Sequence, residues 1–470
     1  MPIATTNPAT GQVLKSYEPM SAEQIDAAIE RADLAYRDLH RTTTAQRAQW
    51  MNAVADLLDA ERDETARLMT TEMGKTYAAA KAEVTKCATA CRFYAGHAER
   101  MLADEPADAA AVKAKRAYVR YQPIGPVLAV MPWNFPLWQV MRFAAPALMA
   151  GNTGLLKHAS NVPQTALYLE DVFRRAGFPE GAFTTLLVGS DAVDRILSDP
   201  RVRAATLTGS EGAGRSIAQI AGRELKKTVL ELGGSDPFVV MPSADLDRAA
   251  EVATTARCQN NGQSCIAAKR FIVHTDVFDA FAGKFAANMA ALRVGDPMDA
   301  DTDVGPLASE SGRDEIHAQV QDAVAHGARV LCGGEKPTGD GWFYPPTVVT
   351  DLDPQMRMWA EEVFGPVAGL YGVSSYDEAI EVANGTPFGL GANAWTTDPA
   401  EQERFATDLD AGNVFVNGMT TSYPELPFGG VKNSGYGREL SALGMREFCN
   451  IKTVWVGEGA ATVGAGAHAE

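Results

Sequence analysis

The sequence predicts an α/β protein with two domains, the first built on a doubly wound parallel sheet. At 470 residues the chain is longer than one hydrophobic core usually organises. From Val127 onward, short apolar strands alternate with amphipathic helices. This alternation is typical of parallel βαβ units that carry helices on both faces of the sheet. The apolar fraction of 46% and the charged fraction of 21% are ordinary for a globular protein.

The first hundred residues are predicted to be mainly helical. Ser21 and Gln24 have the spacing of a capping box before an amphipathic run, and helical patterning continues to Arg100. The segment Glu105 to Lys115 is rich in Ala and Asp and marks a boundary. After it, residues 117–122 alternate like an exposed strand.

The parallel series follows this boundary. Its predicted strands are Val127–Met131, Gly154–Lys157, Thr184–Val188, Ala204–Leu207 and Thr228–Glu231, and its helices include Pro163–Ala176, Asp191–Ser198 and Gly212–Leu225. A second α/β series begins after Gly233, with strands near Phe271–Val273, Arg329–Cys332, Val367–Tyr371 and Val414–Val416.

These patterns divide the chain into parts. Residues 1–104 and 125–233 form a dinucleotide-type domain, and 234–436 form the second α/β domain. Residues 105–124 and 452–458 are predicted to make a protruding sheet edge that pairs with another subunit. The Gly/Ala-rich tail 459–470 is expected to be disordered.

The composition excludes several classes of function. A net charge of −17 without a Lys/Arg-rich run argues against nucleic-acid binding and against anionic membranes. An uninterrupted apolar stretch of about 18 residues, which a membrane helix needs, is missing, as is an apolar signal region at the N-terminus. The six cysteines have neither metal-ligand nor disulfide-framework spacing, so we expect a reduced, cytoplasmic protein without a metal. Cys87 and Cys91 are predicted core residues.

The first candidate site is the segment NGQSC, which ends at Cys265 and lies between a predicted helix and a predicted strand. A cysteine among small polar residues on such a loop can present its sulfur to a cleft. A structural cysteine lies more often in an apolar run, as Cys332 does. The alternative is that Cys265 is a small buried hydrophobe, and the segment alone leaves both interpretations open.

The second candidate is Glu231, at the end of an apolar parallel strand before Gly233 and Gly234. A carboxylate is costly to bury there, and the carboxyl ends of such strands are where ligands bind. The alternative is a glutamate paired with a basic neighbour such as Lys226.

The third candidate is Asn134 in the segment PWNFP, again at the end of a strand. The flanking prolines restrict the backbone, so the amide can be held as a rigid hydrogen-bond donor. The alternative is an ordinary turn in which Asn134 has no functional role. The glycines between Gly209 and Gly214 join a strand to a helix but do not match the dinucleotide fingerprint G-x-G-x-x-G.

Five motifs together resemble the aldehyde dehydrogenase superfamily, in order and spacing over nearly the whole chain. They are PWNFP (132–136), LELGG (230–234), NNGQSC (260–265), EEVFGPV (361–367) and PFGGVKNSGYGRE (427–439). The segments LLKHASNVPQ (155–164) and GQSCIAAKRF (262–271) are most similar to bacterial succinate-semialdehyde dehydrogenases that prefer NADP. The resemblance implies a cofactor domain, a catalytic domain and a small β extension for oligomerisation as a homodimer or homotetramer.

The resemblance also implies catalytic roles. Cys265 would be the nucleophile that forms a thioester with the aldehyde substrate, and Glu231 the general base that activates water. Asn134 would donate to the oxyanion together with the backbone N–H of Cys265. Some relatives carry a second glutamate just after the GREL segment, where this chain has Ala442, so a proton relay through that position is absent.

The cofactor contacts are implied in the same way, with NADP expected and NAD possible but weaker. Lys157 matches the ribose lysine, and Ser160 stands where NAD-specific relatives carry a glutamate that would repel the 2′-phosphate of NADP. The full implied set is Trp133, Asn134, Lys157, His158, Ala159, Ser160, Gly209, Ser210, Leu232, Glu362 and Phe364, in which His158 adds positive charge.

For the substrate, a selective site for succinate semialdehyde needs cationic donors at the outer end of the tunnel. Arg142 matches an arginine that binds the substrate carboxylate in such relatives, while a second one is replaced here by Gln259. Arg257, two helical turns before Cys265, is a substitute candidate, and Ser422 adds a hydroxyl. Each arginine could instead form a surface or inter-domain salt bridge.

Rival functions remain at this point. A CoA-acylating or phosphorylating relative would keep the cysteine but generally lacks the glutamate at 231. A cofactor-independent cysteine esterase leaves Glu362 and Phe364 unexplained. A general aldehyde dehydrogenase would act without selectivity for a carboxylate.

Overall fold

Two largely parallel sheets carry the fold of this protein, whose computed structural model describes residues 2–458. The tail predicted to be disordered, 459–470, lies outside the described residues. Among residues 2–458 no helix is long and apolar enough to cross a membrane.

Six strands form the first sheet, and five of them run parallel. In spatial order they are Gly435–Tyr436, Lys227–Glu231, Ala204–Thr208, Pro126–Met131, Thr153–His158 and Phe183–Thr185. The first of these strands is antiparallel and comes from the far end of the chain.

Helices cover both faces of this sheet because neighbouring strand residues enter different hydrophobic clusters. Ala129 packs in the same cluster as helices Tyr77–Met101 and Trp138–Ala150, whereas Leu128 packs in the cluster of helix Ala22–Leu39. The predicted doubly wound sheet is therefore confirmed. The other helices of this part are Thr44–Ala60, Arg62–Met73, Pro163–Arg175, Val193–Ser198 and Glu211–Arg223.

Seven strands form the second sheet, which is parallel apart from one edge strand. Their order is Arg329–Cys332, Thr347–Thr350, Val367–Val373, Ala268–His274, Asp236–Val240, Gly391–Trp395 and Asn413–Val416. Its helices are Leu246–Cys258, Phe278–Ala291, Glu310–Ala325, Arg357–Ala360, Tyr376–Asn384 and Pro399–Asp408.

A third, antiparallel sheet joins strand Arg116–Pro123 to strands Cys449–Val456 and Glu105–Pro106. The sequence predicts this pairing between the 117–122 segment and the end of the chain, and the structure confirms it. Ile451 and Trp455 are 62% and 55% exposed on it. The remaining pairs are the hairpin Ile3–Asn7 with Gln12–Tyr17 and the short ladder Phe388–Gly389 with Val431–Lys432, and one further helix spans Ser441–Glu447.

Some elements differ from the prediction. The strand predicted over Thr184–Val188 ends at Thr185, because the N–H of Val188 turns back to the carbonyl of Leu186. The sequence pattern does not predict strand Gly391–Trp395, because its small residues are typical of a loop. The packing requires them, since a Cβ on Gly391 would lie 2.3 Å from Oδ2 of Asp236.

The carboxyl ends of the first sheet's parallel strands meet at one edge. Met131 lies opposite His158, and Thr208 lies opposite Glu231. Loops at this edge are where a ligand binds in an open α/β sheet, and the candidate residues are found there.

Candidate active site

The cysteine loop, residues 259–267, follows helix Leu246–Cys258 and reverses the chain sharply. Asn260, Asn261 and Gly262 all have positive φ, at 54°, 57° and 74°. A Cβ on Gly262 would lie 2.3 Å from the carbonyl carbon of Gly365, so only glycine fits. The amide of Asn261 donates to the carbonyls of Gly74 and Pro306 and fixes the turn.

Lys269 anchors the other end of the cysteine loop. Its buried ammonium donates to the carbonyl oxygens of Ser264, Cys265 and Ala267 at 2.9, 2.7 and 3.0 Å. The same group lies 3.5 Å from Oε1 of Glu362. The loop is therefore bonded at both ends, and Cys265 lies half-buried between them.

Burial raises the pKa of the Cys265 thiol to about 12, although Arg142 and Lys269 oppose the shift. At neutral pH the thiol is therefore protonated in the free protein. It becomes a nucleophile only with a proton acceptor, because the thiolate is the reactive form.

Asn134 lies beside the cysteine loop. Its side-chain amide donates to the carbonyl of Gln263 at 3.1 Å, and the side chain of Asn260 donates to the backbone carbonyl of Asn134 at 2.7 Å. The buried amide has a second N–H beyond the one given to Gln263. The structure thus brings Asn134 to the loop that carries Cys265.

Glu231 is buried at the end of its strand, and its carboxyl lies against Gly429. Burial, together with the neighbouring carboxyl of Glu439, raises its pKa well above the usual range. The alternative pairing with Lys226 is not found, because that ammonium donates to the carbonyls of Leu197 and Asp199.

Glu439 is the second carboxyl beside Glu231. It lies in the GREL segment itself, three positions before Ala442, where some relatives carry a glutamate. It forms an ion pair with Arg142 at 2.6 Å, and burial raises its pKa as well. Its signal was present in the sequence, inside the segment GREL that follows the last motif.

A cavity of about 230 Å³ opens in front of Cys265. Its walls come from four parts of the chain: helix Tyr77–Met101, the loop and helix after Asn134, the cysteine loop, and residues 420–422. They include Ala79, Ala82, Glu83, Lys86, Phe135, Trp138, Gln139, Arg142, Gln259, Asn260, Ser264, Cys265, Ile266, Thr420, Thr421 and Ser422.

Of the predicted substrate residues, Arg142 and Ser422 line this cavity and Arg257 does not. Arg142 is both a cavity residue and, through Glu439, a buried ion pair. Arg257 is fully buried behind the cysteine loop, where its guanidinium donates to the carbonyl of Gly262 at 2.6 Å. The spacing of two helical turns between Arg257 and Cys265 suggested that Arg257 faces the substrate channel. That spacing does not apply, because the helix ends at Cys258 and the left-handed turn that follows changes the direction of the chain.

Lys86 is a cavity residue that the sequence analysis missed. Its ammonium donates to Oγ of Ser422 at 3.0 Å and lies 4.3 Å from the centre of the Trp138 ring. Lys86 lies in an ordinary helical pattern, so nothing in the surrounding sequence distinguishes it from a solvent-facing lysine.

Several of the predicted cofactor residues lie at the carboxyl edge of the first sheet. Lys157 lies near the end of strand Thr153–His158, Ser160 lies in the loop after that strand, and Ser210 caps helix Glu211–Arg223. The unpaired N–H groups at a helix N-terminus favour an anion. This set of donors suits the phosphates of a dinucleotide.

His158 does not add the positive charge that was expected. Burial lowers the pKa of its ring to about 4, so the ring is neutral at physiological pH. In the neutral form that fits its contacts, Nε2 donates to the carbonyl of Pro136 at 2.8 Å and Nδ1 accepts from the N–H of Ala159. His158 therefore supports the loop that carries Asn134.

The remaining cofactor candidates form a second group. Leu232 lies against the first turn of helix Glu211–Arg223, at Gly214. A Cβ on Gly214 would be 2.7 Å from the methyl carbons of Leu232, so the absence of a side chain permits this contact. Glu362 accepts from the N–H of Gly234 at 3.1 Å. The rings of Trp133 and Phe364 meet edge to face, with centroids 5.8 Å apart.

Comparison with known proteins agrees with this arrangement. The model of the aldehyde dehydrogenase family matches residues 1–454. The chain is 69% identical over 458 residues to a succinate-semialdehyde dehydrogenase [NADP(+)] of Mycolicibacterium paratuberculosis, covering 97% of each chain. It is 67% identical over 456 residues to succinate-semialdehyde dehydrogenase [NADP(+)] 1 of Mycobacterium tuberculosis, covering 97% of this chain and all of the relative.

The fold is similar to that of solved structures. Succinic semialdehyde dehydrogenase from Streptococcus pyogenes, solved in complex with NADP+, superposes with a TM-score of 0.94 at 38% identity. The match covers 97% of this chain and 100% of that structure.

The cysteine loop yields a test by substitution of one glycine. We expect Gly262→Ala to lower the free energy of unfolding by at least about 2 kcal/mol, because it combines a positive φ with a collision against Gly365. The measurement is denaturant unfolding followed by tryptophan fluorescence. The matched control is Gly283→Ala, in the helix Phe278–Ala291, where a Cβ meets nothing within 4 Å. Equal stability of the two variants would contradict the account of the loop.

Proposed function

The chain belongs to the aldehyde dehydrogenase family, and we propose on this premise that it oxidises succinate semialdehyde to succinate with reduction of NADP. One observation carries the choice of substrate: the cavity lined by Cys265 is also lined by two cationic residues, Lys86 and Arg142. A small aldehyde with a carboxylate at its far end matches this pairing of a nucleophile and positive charge. The names of the relatives support the same substrate.

The reaction begins when the Cys265 thiol gives its proton to the general base Glu231, directly or through water. The thiolate then adds to the aldehyde carbon. The resulting oxyanion accepts hydrogen bonds from the free N–H of the Asn134 amide and from the backbone N–H of Cys265. Both donors are held in advance, the first by Gln263 and the second by the anchored cysteine loop. Preorganised donors of this kind stabilise the developing charge without reorganisation.

NADP, when bound, would supply the hydride acceptor that oxidation of the aldehyde to a thioester requires. The residues present fit this group, because Lys157 supplies a cation, the helix at Ser210 supplies N–H donors, and position 160 has no carboxylate. Glu362 and the ring pair of Trp133 and Phe364 would hold the nicotinamide end.

Glu231 completes the cycle by taking a proton from the water that hydrolyses the thioester. Its carboxyl must be ionised to do so, and its raised pKa makes it a stronger base once ionised. Glu439 lies next to it and forms an ion pair with Arg142. The overall products are a carboxylate, NADPH and two protons, and the Cys265 thiol is regenerated.

We further propose that the protein forms a homodimer or homotetramer and is located in the cytoplasm. The exposed strand Cys449–Val456 is one edge of the third sheet, and its exposed Ile451 and Trp455 suit pairing with a second copy in a homodimer or homotetramer. All six cysteines are free thiols, which suits the reducing cytoplasm.

The proposed substrate is tested by comparing succinate semialdehyde with butyraldehyde, which has the same chain length but no carboxylate. A charge-assisted hydrogen bond contributes roughly 1.5–3 kcal/mol, so we expect kcat/KM to be about 10- to 150-fold higher for the semialdehyde. The measurement is the absorbance of NADPH during turnover. Equal kcat/KM for the two aldehydes would instead identify a general aldehyde dehydrogenase.

The thioester mechanism is tested by two variants. We expect Cys265→Ala to form no NADPH, because the nucleophile is lost. Glu231→Gln should acylate but slow the hydrolysis step by about 10²–10⁴-fold, as for loss of a general base. Single-turnover kinetics separate the two steps. Cys332→Ala is the matched control and should keep full activity, whereas NADPH formation by Cys265→Ala would exclude the mechanism.

Cofactor preference is tested at Ser160. A carboxylate about 4 Å from the 2′-phosphate would repel it by roughly 4 kcal/mol per pair of charges at an effective dielectric of about 20. We therefore expect Ser160→Glu to lower kcat/KM with NADP by up to about 10³-fold, while the value with NAD changes little. Ser160→Ala removes the hydroxyl without adding charge and is the control. A wild-type preference for NAD would refute the assignment.

A further inference from the structure

The two cationic groups of the substrate cavity differ in how their charge is balanced. Arg142 is already paired with Glu439 at 2.6 Å and lies 4.5 Å from the centre of the Phe428 ring. Both members of this ion pair are buried. A substrate carboxylate on Arg142 would have to compete with an internal carboxylate, and breaking a buried pair is costly.

Lys86 has no such partner. Among residues 2–458 no carboxylate forms an ion pair with it, and the nearest acidic group on its own helix, Glu83, is bound to Lys75. Its known contacts are the Oγ of Ser422 and the ring of Trp138. An ammonium group has three N–H donors, so at least one remains for a ligand.

Ser422 is oriented by its two neighbours. Its Oγ accepts from Lys86 and also from Nε1 of Trp138, each at 3.0 Å. With both acceptor positions used, the hydroxyl proton is left to donate elsewhere. The ammonium of Lys86 and the hydroxyl of Ser422 are therefore adjacent donors on one wall, as a carboxylate with two oxygens requires.

The position of Lys86 is rigid. Glu83, one turn earlier on the same helix, accepts from the backbone N–H groups of Leu137 and Trp138 at 2.9 and 2.8 Å. This contact locks the helix of Lys86 to the helix that carries Trp138. Ala79 and Ala82 line the cavity beside it and leave space for a small substrate.

We propose that Lys86, together with Ser422, binds the carboxylate of the substrate and is the residue that selects for it. The inference rests on the proposed oxidation of succinate semialdehyde and deepens it, since it moves the main anion contact from Arg142 to Lys86. Arg142 then keeps its pairing with Glu439.

The test compares substrates in Lys86→Met, which keeps the length of the side chain and removes its charge. We expect the ratio of kcat/KM for succinate semialdehyde to that for butyraldehyde to fall about 10- to 150-fold. Lys86→Arg, which restores the charge, should recover most of the ratio. Lys81→Met is the matched control, because Lys81 lies on the same helix over the ring of Tyr77 and outside the cavity. It should keep the wild-type ratio.

The pH dependence provides a second readout. Burial and the positive charge of Arg142 lower the pKa of Lys86 to about 8, while Cys87 and Glu83 oppose the shift. The ammonium is charged below this pH and neutral above it. We expect the kcat/KM ratio to decline as the pH rises through about 8 in the wild type, and to stay level in Lys86→Arg. Taking the ratio cancels ionisations that both substrates share, such as those of Cys265 and Glu231.

The outcomes separate the two proposals. If the wild type shows no preference for the semialdehyde, the proposed substrate is wrong. If the wild type prefers it and Lys86→Met keeps the same ratio, the role of Lys86 is wrong while the substrate stands. An equal loss of activity on both aldehydes would show a structural role for Lys86 and would also overturn the inference.

Discussion

The buried ammonium group of Lys269 joins the cysteine loop to Glu362. It satisfies three backbone carbonyls around Cys265 and lies beside a carboxylate that in turn accepts from the N–H of Gly234. Gly234 follows the strand that ends at Glu231. Through this one cation, the cysteine loop, the strand that ends at Glu231 and the segment that carries Glu362 keep a fixed relation. Because an unpaired buried charge is costly, the arrangement has little freedom to loosen.

A second buried ion pair has a similar role at the helix that lines the cavity. Lys75 pairs with Glu83, whose other oxygen accepts from Leu137 and Trp138 at the start of the next helix. The ammonium of Lys75 also lies over the ring of Phe135, next to Asn134. Helix Tyr77–Met101 and the loop that carries Asn134 are thus fixed together. Charge pairs as well as apolar packing therefore hold the segments that line the cavity.

The sequence predicted what depends on local signals and missed what depends on distant ones. Glu231 and Cys265 were candidates because a carboxylate at a strand end and a cysteine in a polar loop are visible in a short segment. Lys86 was missed because its meaning depends on Ser422, 336 positions away. Arg257 was misplaced because spacing along a helix cannot foresee the left-handed turn at Asn260 and Asn261.

Two carboxyls and one arginine share the buried region behind the cavity, and their charges constrain one another. Glu231 and Glu439 repel, and burial raises the pKa of both, while Arg142 favours the ionised form of either. Because the two carboxyls repel, ionising one opposes ionising the other. Arg142 favours the ionised form of both, whereas Arg438 acts on Glu231. A substrate anion held on Arg142 would offset the one cation that acts on both carboxyls and raise both pKa values further, at the step in which Glu231 is proposed to act as a base. Holding the anion on Lys86, as proposed, leaves Arg142 to balance the carboxyls, so that substrate binding and base catalysis would not compete for the charge of Arg142.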